Sequence, residues 1–204
     1  MSSHSSLLLD IGGTNMRYAY ANRKNMTDEK ILSNISDENI TNTLNDLLSN
    51  PQIKNTVIAA AGPRLGNKIK MTNRKVIIDG DFLGRKFKLS NSQVLNDWEA
   101  VGYAVDEMTL KQIKRGKSGS NVDLMIGPGT GLGFAIVSDG KVIPTEIGNT
   151  KLHSDLLLKN LGIKPSKSFA VLEDVISGPA ISRAYQSRYK KKLSPEEIVL
   201  LAKK

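Results

Sequence analysis

The stretch LLLDIGGTNMRYAYA, residues 7–21, decides which fold the sequence predicts. Its apolar run ends at Asp10, two glycines and Thr14 follow, and the remaining residues alternate between two faces. This pattern predicts a strand, a tight turn and a second strand. A plain hairpin needs only the glycines, whereas a phosphate-binding turn also uses the hydroxyl for the anion and the carboxylate for magnesium. The stretch by itself leaves both interpretations open.

The composition is typical of a soluble globular protein and argues against several classes. Of the 204 residues, 39% are hydrophobic and 24% are charged, which is enough to bury a real core. The absence of cysteine excludes disulfides and thiolate chemistry, and two histidines are too few to favour a zinc enzyme. The first residues lack a signal-peptide pattern, and no apolar run approaches the roughly 20 residues of a membrane span. We therefore expect a cytoplasmic protein with no membrane partner.

The net charge of +9 raises the question of nucleic-acid binding. The basic residues are mostly scattered and concentrate only at residues 111–120, a predicted surface loop, and 188–192, a predicted helix end. Aromatic residues make up only 5% of the chain, without the basic–aromatic interleaving that stacks on bases. The pattern argues against nucleic acid as a partner and favours a basic surface that attracts phosphorylated ligands.

Strand and helix patterns alternate along the chain, which predicts an α/β fold. Ser36 or Asp37 is expected to cap a helix, and residues 168–189 are predicted to be helical with a break at Ser177. We expect two lobes. Residues 1–96 would form a small lobe with the first glycine loop, and residues 97–204 would form part of a larger lobe with a second one.

The second glycine loop lies in MIGPGTGLGFAIV, residues 125–137, between two predicted strands. A dinucleotide fingerprint would need a helix after the glycines, and the GKS at 116–118 lacks the remaining features of a Walker motif. The loop offers Gly129, Thr130 and Gly131, about 115 residues after the first loop. Two such loops predict a pair that grips one polyphosphate from two sides, and two independent hairpins remain the alternative.

Several polar residues at predicted strand ends and turns are candidates for a sugar site. Asn96 and Asp97 end the strand predicted at 92–97, where ligand sites of open α/β sheets gather. Asp97 could accept a proton from an attacking hydroxyl, or it could cap the next helix, and the two roles are compatible. A polyol needs several amides and carboxylates, although single acids are more often solvated. Further candidates are Glu146, Asn149, Glu173 and Asp174.

Seven motifs follow one another along almost the whole chain, in the order DIGGTN, AAAGP, MTN, NDWEA, GPGTGLG, TEIGN and EDVISGPAISRAY. In this order the sequence resembles the bacterial-type glucokinase family of the actin/hexokinase-like superfamily. The resemblance implies a two-lobed, ribonuclease H-like α/β fold whose lobes close on the sugar. It also implies phosphorylation of glucose or a related hexose at the 6-hydroxyl, with ATP and Mg²⁺.

The resemblance assigns roles to individual residues by motif. Asp97 is implied as the general base, with Asp10 near the magnesium ion. The sugar would be bound by Asn96, Asp97, Glu146, Asn149 and Glu173. The first phosphate loop would comprise Asp10, Gly12, Gly13 and Thr14, and the second Gly129, Thr130 and Gly131.

The sequence departs from the family pattern in two places. Asn149 stands where the family has a sugar-contacting histidine, which opens the choice of sugar. Family members continue past SPEEI through further elements that pack on the adenine, and the second lobe here is expected to be incomplete. A homodimer or a completing chain is therefore an expected partner. The alternatives to a glucokinase are a catalytically impaired sugar-binding remnant and a kinase for another hexose.

Overall fold

The computed structural model describes residues 5–115, 121–151 and 154–203, which form two compact units, Met1–Lys111 and Gln112–Lys204. Both histidines and part of the basic segment 111–120 lie outside the described residues. The lobe boundary predicted between residues 96 and 97 stays a prediction, and the helix that begins at Asp97 belongs to the first unit. No helix in the described ranges is long and apolar enough to cross a membrane.

The first unit alternates strands and helices, as the sequence predicts for an α/β fold. Its elements are β1 (Ser6–Ile11), β2 (Asn15–Ala21), β3 (Lys30–Ser33), α1 (Asp37–Leu48), β4 (Asn55–Ala60), β5 (Arg64–Leu65), β6 (Lys68–Lys70), β7 (Ile77–Asp79), α2 (Gly80–Phe87), β8 (Asn91–Asn96) and α3 (Asp97–Ala104), which a 3₁₀ turn (Val105–Glu107) follows.

Five of these strands form one sheet in the order β3-β2-β1-β4-β8. The pairs β1–β2 and β2–β3 are antiparallel, whereas β1–β4 and β4–β8 are parallel. The register aligns Ile11 with Ala60 and Ala60 with Asn96, so β1, β4 and β8 end in one row. The residues that follow these strands therefore share one edge of the sheet.

The core of the first unit packs this sheet against α1 and also includes buried residues of β6, β7 and α2. Leu7, Leu9 and Ile11 alternate with less buried residues along β1, as expected for a strand that buries one face. Helix α1 begins after Ser36, whose side chain accepts a hydrogen bond from the Asn39 N–H, and thus the predicted cap is confirmed. Each large apolar side chain buried here contributes about 1.5–3 kcal/mol to folding. From α1 the buried residues are Ile40, Leu44 and Leu48.

The second unit contains a three-stranded antiparallel sheet in the order β11-β10-β9 and a set of helices. An Asp-Gly pair is typical of a tight hairpin turn, and Asp139 and Gly140 make such a turn between β10 and β11, with positive φ angles of 50° and 71°. Its elements are β9 (Val122–Pro128), β10 (Leu132–Ser138), β11 (Lys141–Thr145), α4 (Ser154–Asn160), α5 (Gly178–Tyr189) and α6 (Pro195–Ala202), with 3₁₀ turns at Ile147–Asn149, Lys167–Phe169 and Leu172–Asp174.

The helix predicted over residues 168–189 forms only in its second part, α5. Before the break, the Asp174 carboxylate accepts hydrogen bonds from the N–H groups of Ala170 and Val171 and pairs with Arg183. Such side-chain bonds compete with helical ones, so this segment makes 3₁₀ turns instead. Ser177 caps α5 by accepting from the Ala180 N–H, as predicted.

Gly62 lies where the chain leaves β4, and its position leaves no room for a side chain. A Cβ atom there would lie 2.4 Å from the Lys70 carbonyl oxygen, at a φ of +150°. We expect Gly62→Ala to lower the free energy of unfolding by about 2–4 kcal/mol in urea denaturation, because the backbone must shift.

The matched control is Gly66→Ala, which has a φ of +61° and no atom within 4 Å of the new Cβ. It is expected to cost only about 1 kcal/mol of left-handed backbone strain. Equal losses in the two variants would contradict the steric explanation.

Candidate functional site

The first glycine loop, Gly12–Thr14, connects β1 to β2 and exposes unpaired backbone donors. The Gly12 N–H donates to the Asn15 carbonyl at 2.9 Å, which closes the turn. In the described structure, the N–H groups of Gly13 and Thr14 donate to no acceptor, and both residues are exposed. Successive free N–H groups in a turn form a concave site suited to an anion.

Asn96 ends β8 in the same row as Ile11, the residue before the glycine loop. Its amide nitrogen donates to the Gly62 carbonyl at 3.0 Å, and its amide oxygen accepts from the N–H groups of Trp98 and Glu99. Asn96 is therefore the N-cap of α3. The expectation that Asp97 caps this helix is wrong, because Asn96 already satisfies these N–H groups.

Asp97 is the first residue of α3, and its carboxylate accepts one hydrogen bond from the Trp98 N–H at 3.0 Å. Burial raises the pKa of Asp97 above the usual aspartate range, and the negative charge of Asp10 raises it further. The carboxyl group thus holds a proton more firmly than an ordinary aspartate does. Such a shift is typical of a group that accepts a proton in catalysis.

Asp10 is near the end of β1 and is half-exposed. Its Oδ2 atom lies 3.0 Å from Nη1 of Arg17, its cross-strand neighbour on β2. Asp10 therefore acts on two groups, since it pairs with Arg17 and repels charge on Asp97.

A buried ion pair between Glu99 and Arg64 stabilises the backbone at Asn96. Glu99 is only 2% exposed, and its carboxylate accepts from the Asn96 N–H at 3.2 Å and pairs with Nη1 of Arg64. Arg64 also donates from Nε to the Gly66 carbonyl at 2.7 Å. Because the pair fixes both the Asn96 backbone and the turn after β5, it holds the end of β8 in place.

The second glycine loop, Gly129–Gly131, connects β9 to β10 and lies against Glu173. The Glu173 carboxylate accepts from the Leu132 N–H at 3.0 Å, and a Cβ atom on Gly131 would lie 2.6 Å from the same oxygen. On the other side, the Gly178 N–H donates to the Gly129 carbonyl at 2.8 Å. Thr130 is exposed at the tip of the loop.

Glu146 and Asn149 form a short turn that packs beside this loop. The Asn149 amide donates to Glu146 at 3.3 Å, and Gly148 between them is buried against the Leu132 carbonyl. A hydrogen bond of 2.8 Å from the Leu172 N–H to the Thr150 carbonyl connects this turn to the Glu173 segment. The second unit therefore brings its predicted carboxylates and amide to its own glycine loop.

The predicted site residues thus fall into two groups, one in each unit. The first unit brings together Asp10, Gly12, Gly13, Thr14, Asn96 and Asp97. The second brings together Gly129, Thr130, Gly131, Glu146, Asn149 and Glu173.

Three residues that are absent from the predicted site support the first group. Arg64 and Arg74 act through side-chain contacts across long stretches of chain, which no local pattern shows. The sequence does indicate a role for Glu99, because an asparagine followed by a glutamate three residues later resembles a capping box. A cavity of about 580 Å³ lies beside Arg74, lined by residues 70–75 with Asp37 and Pro63, and includes none of the predicted site residues.

Solved structures define the class of fold. The chain is similar to a glucokinase from an Antarctic psychrotroph, with a TM-score of 0.68 and 26% identity over 99% of this chain and 71% of that one. It is also similar to a glucokinase from Balamuthia mandrillaris in complex with glucose, with a TM-score of 0.63 and 19% identity over 95% and 67% of the two chains. The predicted actin/hexokinase-like α/β fold is therefore confirmed.

Sequence comparison defines the family. The model of the family described as Glucokinase matches residues 7–203, and the chain belongs to this family. Two glucokinase-like proteins from strains of Xylella fastidiosa are each 28% identical over 203 residues. That match covers 90% of this chain but 61% of the length of these relatives.

Loss of Arg64 is expected to leave the Glu99 carboxylate buried without its charge partner. We expect Arg64→Met to lower the free energy of unfolding by about 3 kcal/mol in urea denaturation. The double variant Arg64→Met, Glu99→Gln removes the buried charge as well and is expected to be more stable than the single variant. A double variant that loses the sum of both single losses would contradict this explanation.

The pKa of Asp97 is expected to lie above the usual aspartate range in a ¹³C NMR pH titration, because burial and Asp10 both disfavour its charged form. Asp10→Asn removes the second cause and is expected to lower the pKa of Asp97 part of the way. A raised folded-state pKa stabilises the fold at low pH, and this contribution is lost as the pH rises through it. Asp97→Asn is thus expected to unfold at a higher temperature at neutral pH. A titration at or below the usual aspartate range would contradict the assignment.

Proposed function

We propose that this protein is an ATP-dependent hexose kinase that transfers a phosphoryl group to the 6-hydroxyl of glucose. One observation carries the proposal most directly. A carboxyl group with a raised pKa, that of Asp97, lies at the same sheet edge as a glycine loop with free N–H groups. Phosphoryl transfer to an alcohol needs a base for the hydroxyl proton and donors for the phosphate oxygens, and this edge has both.

In this proposal Asp97 accepts the proton of the attacking hydroxyl. A carboxylate whose pKa is raised toward the working pH is a stronger base than an ordinary aspartate. Asn96 binds the same sugar, and its amide is already held by the Gly62 carbonyl and the first turn of α3. A group fixed in this way loses little freedom when substrate binds.

The phosphates of ATP are bound by backbone N–H groups. In the first unit these belong to Gly13 and Thr14, with the Thr14 hydroxyl nearby. In the second unit we assign the same role to the loop Gly129–Gly131. A glucokinase from Streptomyces griseus with a TM-score of 0.60 was solved with glucose and AMPPNP, which supports ATP as the donor.

A magnesium ion fits the donor set of the first unit. Mg²⁺ in kinases is typically held by one or two carboxylates together with the phosphates of the substrate. Asp10 is half-exposed beside the glycine loop, and its charge acts on Asp97, so that a cation here would relieve their repulsion. Bound there, the ion would neutralise negative charge on the phosphates.

We assign the remaining sugar contacts to Glu146, Asn149 and Glu173. The mutual contact of Glu146 and Asn149 supports a joint role, because the amide can donate to a hydroxyl while the carboxylate accepts from one. The complex of the Balamuthia mandrillaris glucokinase with glucose supports a hexose as the substrate. A cytoplasmic location and a place at the entry to glycolysis belong to the same proposal.

A kinase for another hexose is the second candidate, and Asn149 favours it. Asparagine stands at the position of the family's sugar-contacting histidine and is exposed next to Glu146. One structural relative, from Listeria monocytogenes, is described as a putative N-acetylmannosamine kinase. Binding without turnover would instead indicate a sugar-binding remnant. A homodimer or a completing chain as a partner belongs to the same proposal.

The test is hexose-dependent release of ADP from ATP and magnesium by the 204-residue chain, with glucose, mannose and N-acetylmannosamine in parallel. Asp97→Asn is expected to lower kcat by about 100- to 10,000-fold, because it removes the base but keeps the shape. Asp46→Asn, an exposed substitution on α1, is the matched control and is expected to keep full activity.

The hexose with the highest kcat/KM identifies the substrate, and a preference for mannose or the amino sugar would select the second candidate. Turnover that survives Asp97→Asn would refute the role of Asp97. Binding of glucose in calorimetry without ADP release would support the sugar-binding remnant.

A further inference from the structure

The carbonyl groups of the first glycine loop are held by partners outside the loop. The Gly13 carbonyl accepts from Nη2 of Arg74 at 2.6 Å, and the Thr14 carbonyl accepts from the Ile35 N–H at 3.2 Å. In a trans peptide the C=O group and the next N–H point in opposite directions. Fixing the Gly13 carbonyl therefore also fixes the direction of the Thr14 N–H, which points away from Arg74.

Arg74 holds this position through several acceptors at once. Its Nη2 atom also donates to the Ile35 carbonyl at 2.9 Å, and its Nη1 atom donates to the Asp37 carboxylate at 2.9 Å. The other Asp37 oxygen accepts from the Lys75 N–H at 3.0 Å. The guanidinium thus connects the glycine loop to the start of α1, and its side chain is only 12% exposed.

We propose that Arg74 is a positioning residue that holds the first glycine loop with its free N–H groups directed at the phosphates of ATP. The inference rests on the proposed function, in which this loop binds ATP. Without Arg74, the Gly13–Thr14 peptide has no side-chain bond to keep it from rotating. The donors of Gly13 and Thr14 would then have to be ordered by the nucleotide itself, at a cost in affinity.

The role of Arg74 is geometric rather than a matter of charge. Asp37 balances the positive charge of the guanidinium at 2.9 Å. The Lys75 N–H and Arg74 together hold the pKa of Asp37 below its usual range, so the pair stays ionised through neutral pH. Arginine presents its donors in a planar fork that reaches several acceptors, whereas lysine offers a single point charge.

This difference makes Arg74→Lys the decisive variant. If the planar fork of the arginine positions the loop, Arg74→Lys weakens ATP binding nearly as much as Arg74→Met does, although lysine keeps the positive charge. If Arg74 bound phosphate directly from the neighbouring cavity, lysine would restore most of the affinity.

The experiment is a titration of the ¹⁵N-labelled full chain with ATP, followed at the amide signals of Gly13 and Thr14. Both Arg74→Met and Arg74→Lys are expected to weaken ATP binding at least about 10-fold, since small misplacement of binding groups is costly. The matched control is Arg85→Met on α2, where the exposed arginine has no side-chain bond in the described residues, and it is expected to bind like the wild type. In turnover, the KM for ATP should rise while the KM for the hexose stays within about twofold.

Unchanged ATP binding in Arg74→Met would overturn the inference, and so would recovery in Arg74→Lys. If Arg74→Met does not fold, Asp37→Asn removes one anchor of the guanidinium and is expected to weaken ATP binding by a smaller factor; unchanged binding there would also overturn the inference. Wild-type chain that binds ATP at Gly13 and Thr14 without turnover would refute the proposed function alone. Wild-type chain that binds no ATP at these amides would refute both.

Discussion

The parallel register of β1, β4 and β8 is the constraint on which the candidate site of the first unit depends. It aligns Ile11, Ala60 and Asn96, so three separate segments leave the sheet at the same edge. Backbone hydrogen bonds along the strands fix this alignment, and a shift by one residue would turn every side chain to the opposite face. The glycine loop, the turn at Gly62 and the start of α3 therefore meet without any direct bond between Asp97 and the loop being necessary.

Local structure was readable from the sequence wherever it depends on neighbours in the chain. The first hairpin, the Ser36 cap of α1 and the Asp139-Gly140 turn follow from residue types at fixed spacing, and the structure contains each of them. The roles that the family resemblance implies for individual residues stay predictions. Membership of the glucokinase family and the fold class could be inferred from the order of the motifs.

Errors and omissions occurred where specific side-chain contacts, rather than residue type and spacing, decide the outcome. The Asp174 carboxylate binds two backbone N–H groups and Arg183, which replaced an expected helical segment by 3₁₀ turns. The cap of α3, offered as an alternative role for Asp97, lies one residue earlier at Asn96, because an adjacent asparagine and aspartate both suit that position. Arg74 contacts Gly13 across 61 positions of sequence, a distance at which propensity and periodicity give no information.

The two units bury apolar side chains to different degrees. The first unit encloses one large cluster. Among the described residues of the second, β10 buries Leu132, Phe134 and Ala135, and a separate helical cluster consists of Leu158, Ile163 and Phe169 with Val175 and Ala184 against it. A unit whose buried apolar side chains are divided among small groups opens locally at a lower free-energy cost than one with a single large core. Ligand binding then supplies a larger share of the free energy that keeps such a unit folded. Under the proposed function, a hexose that contacts Glu146, Asn149 and Glu173 would hold their segments together, and its occupancy would govern how long this part of the chain resists proteolysis in a cell.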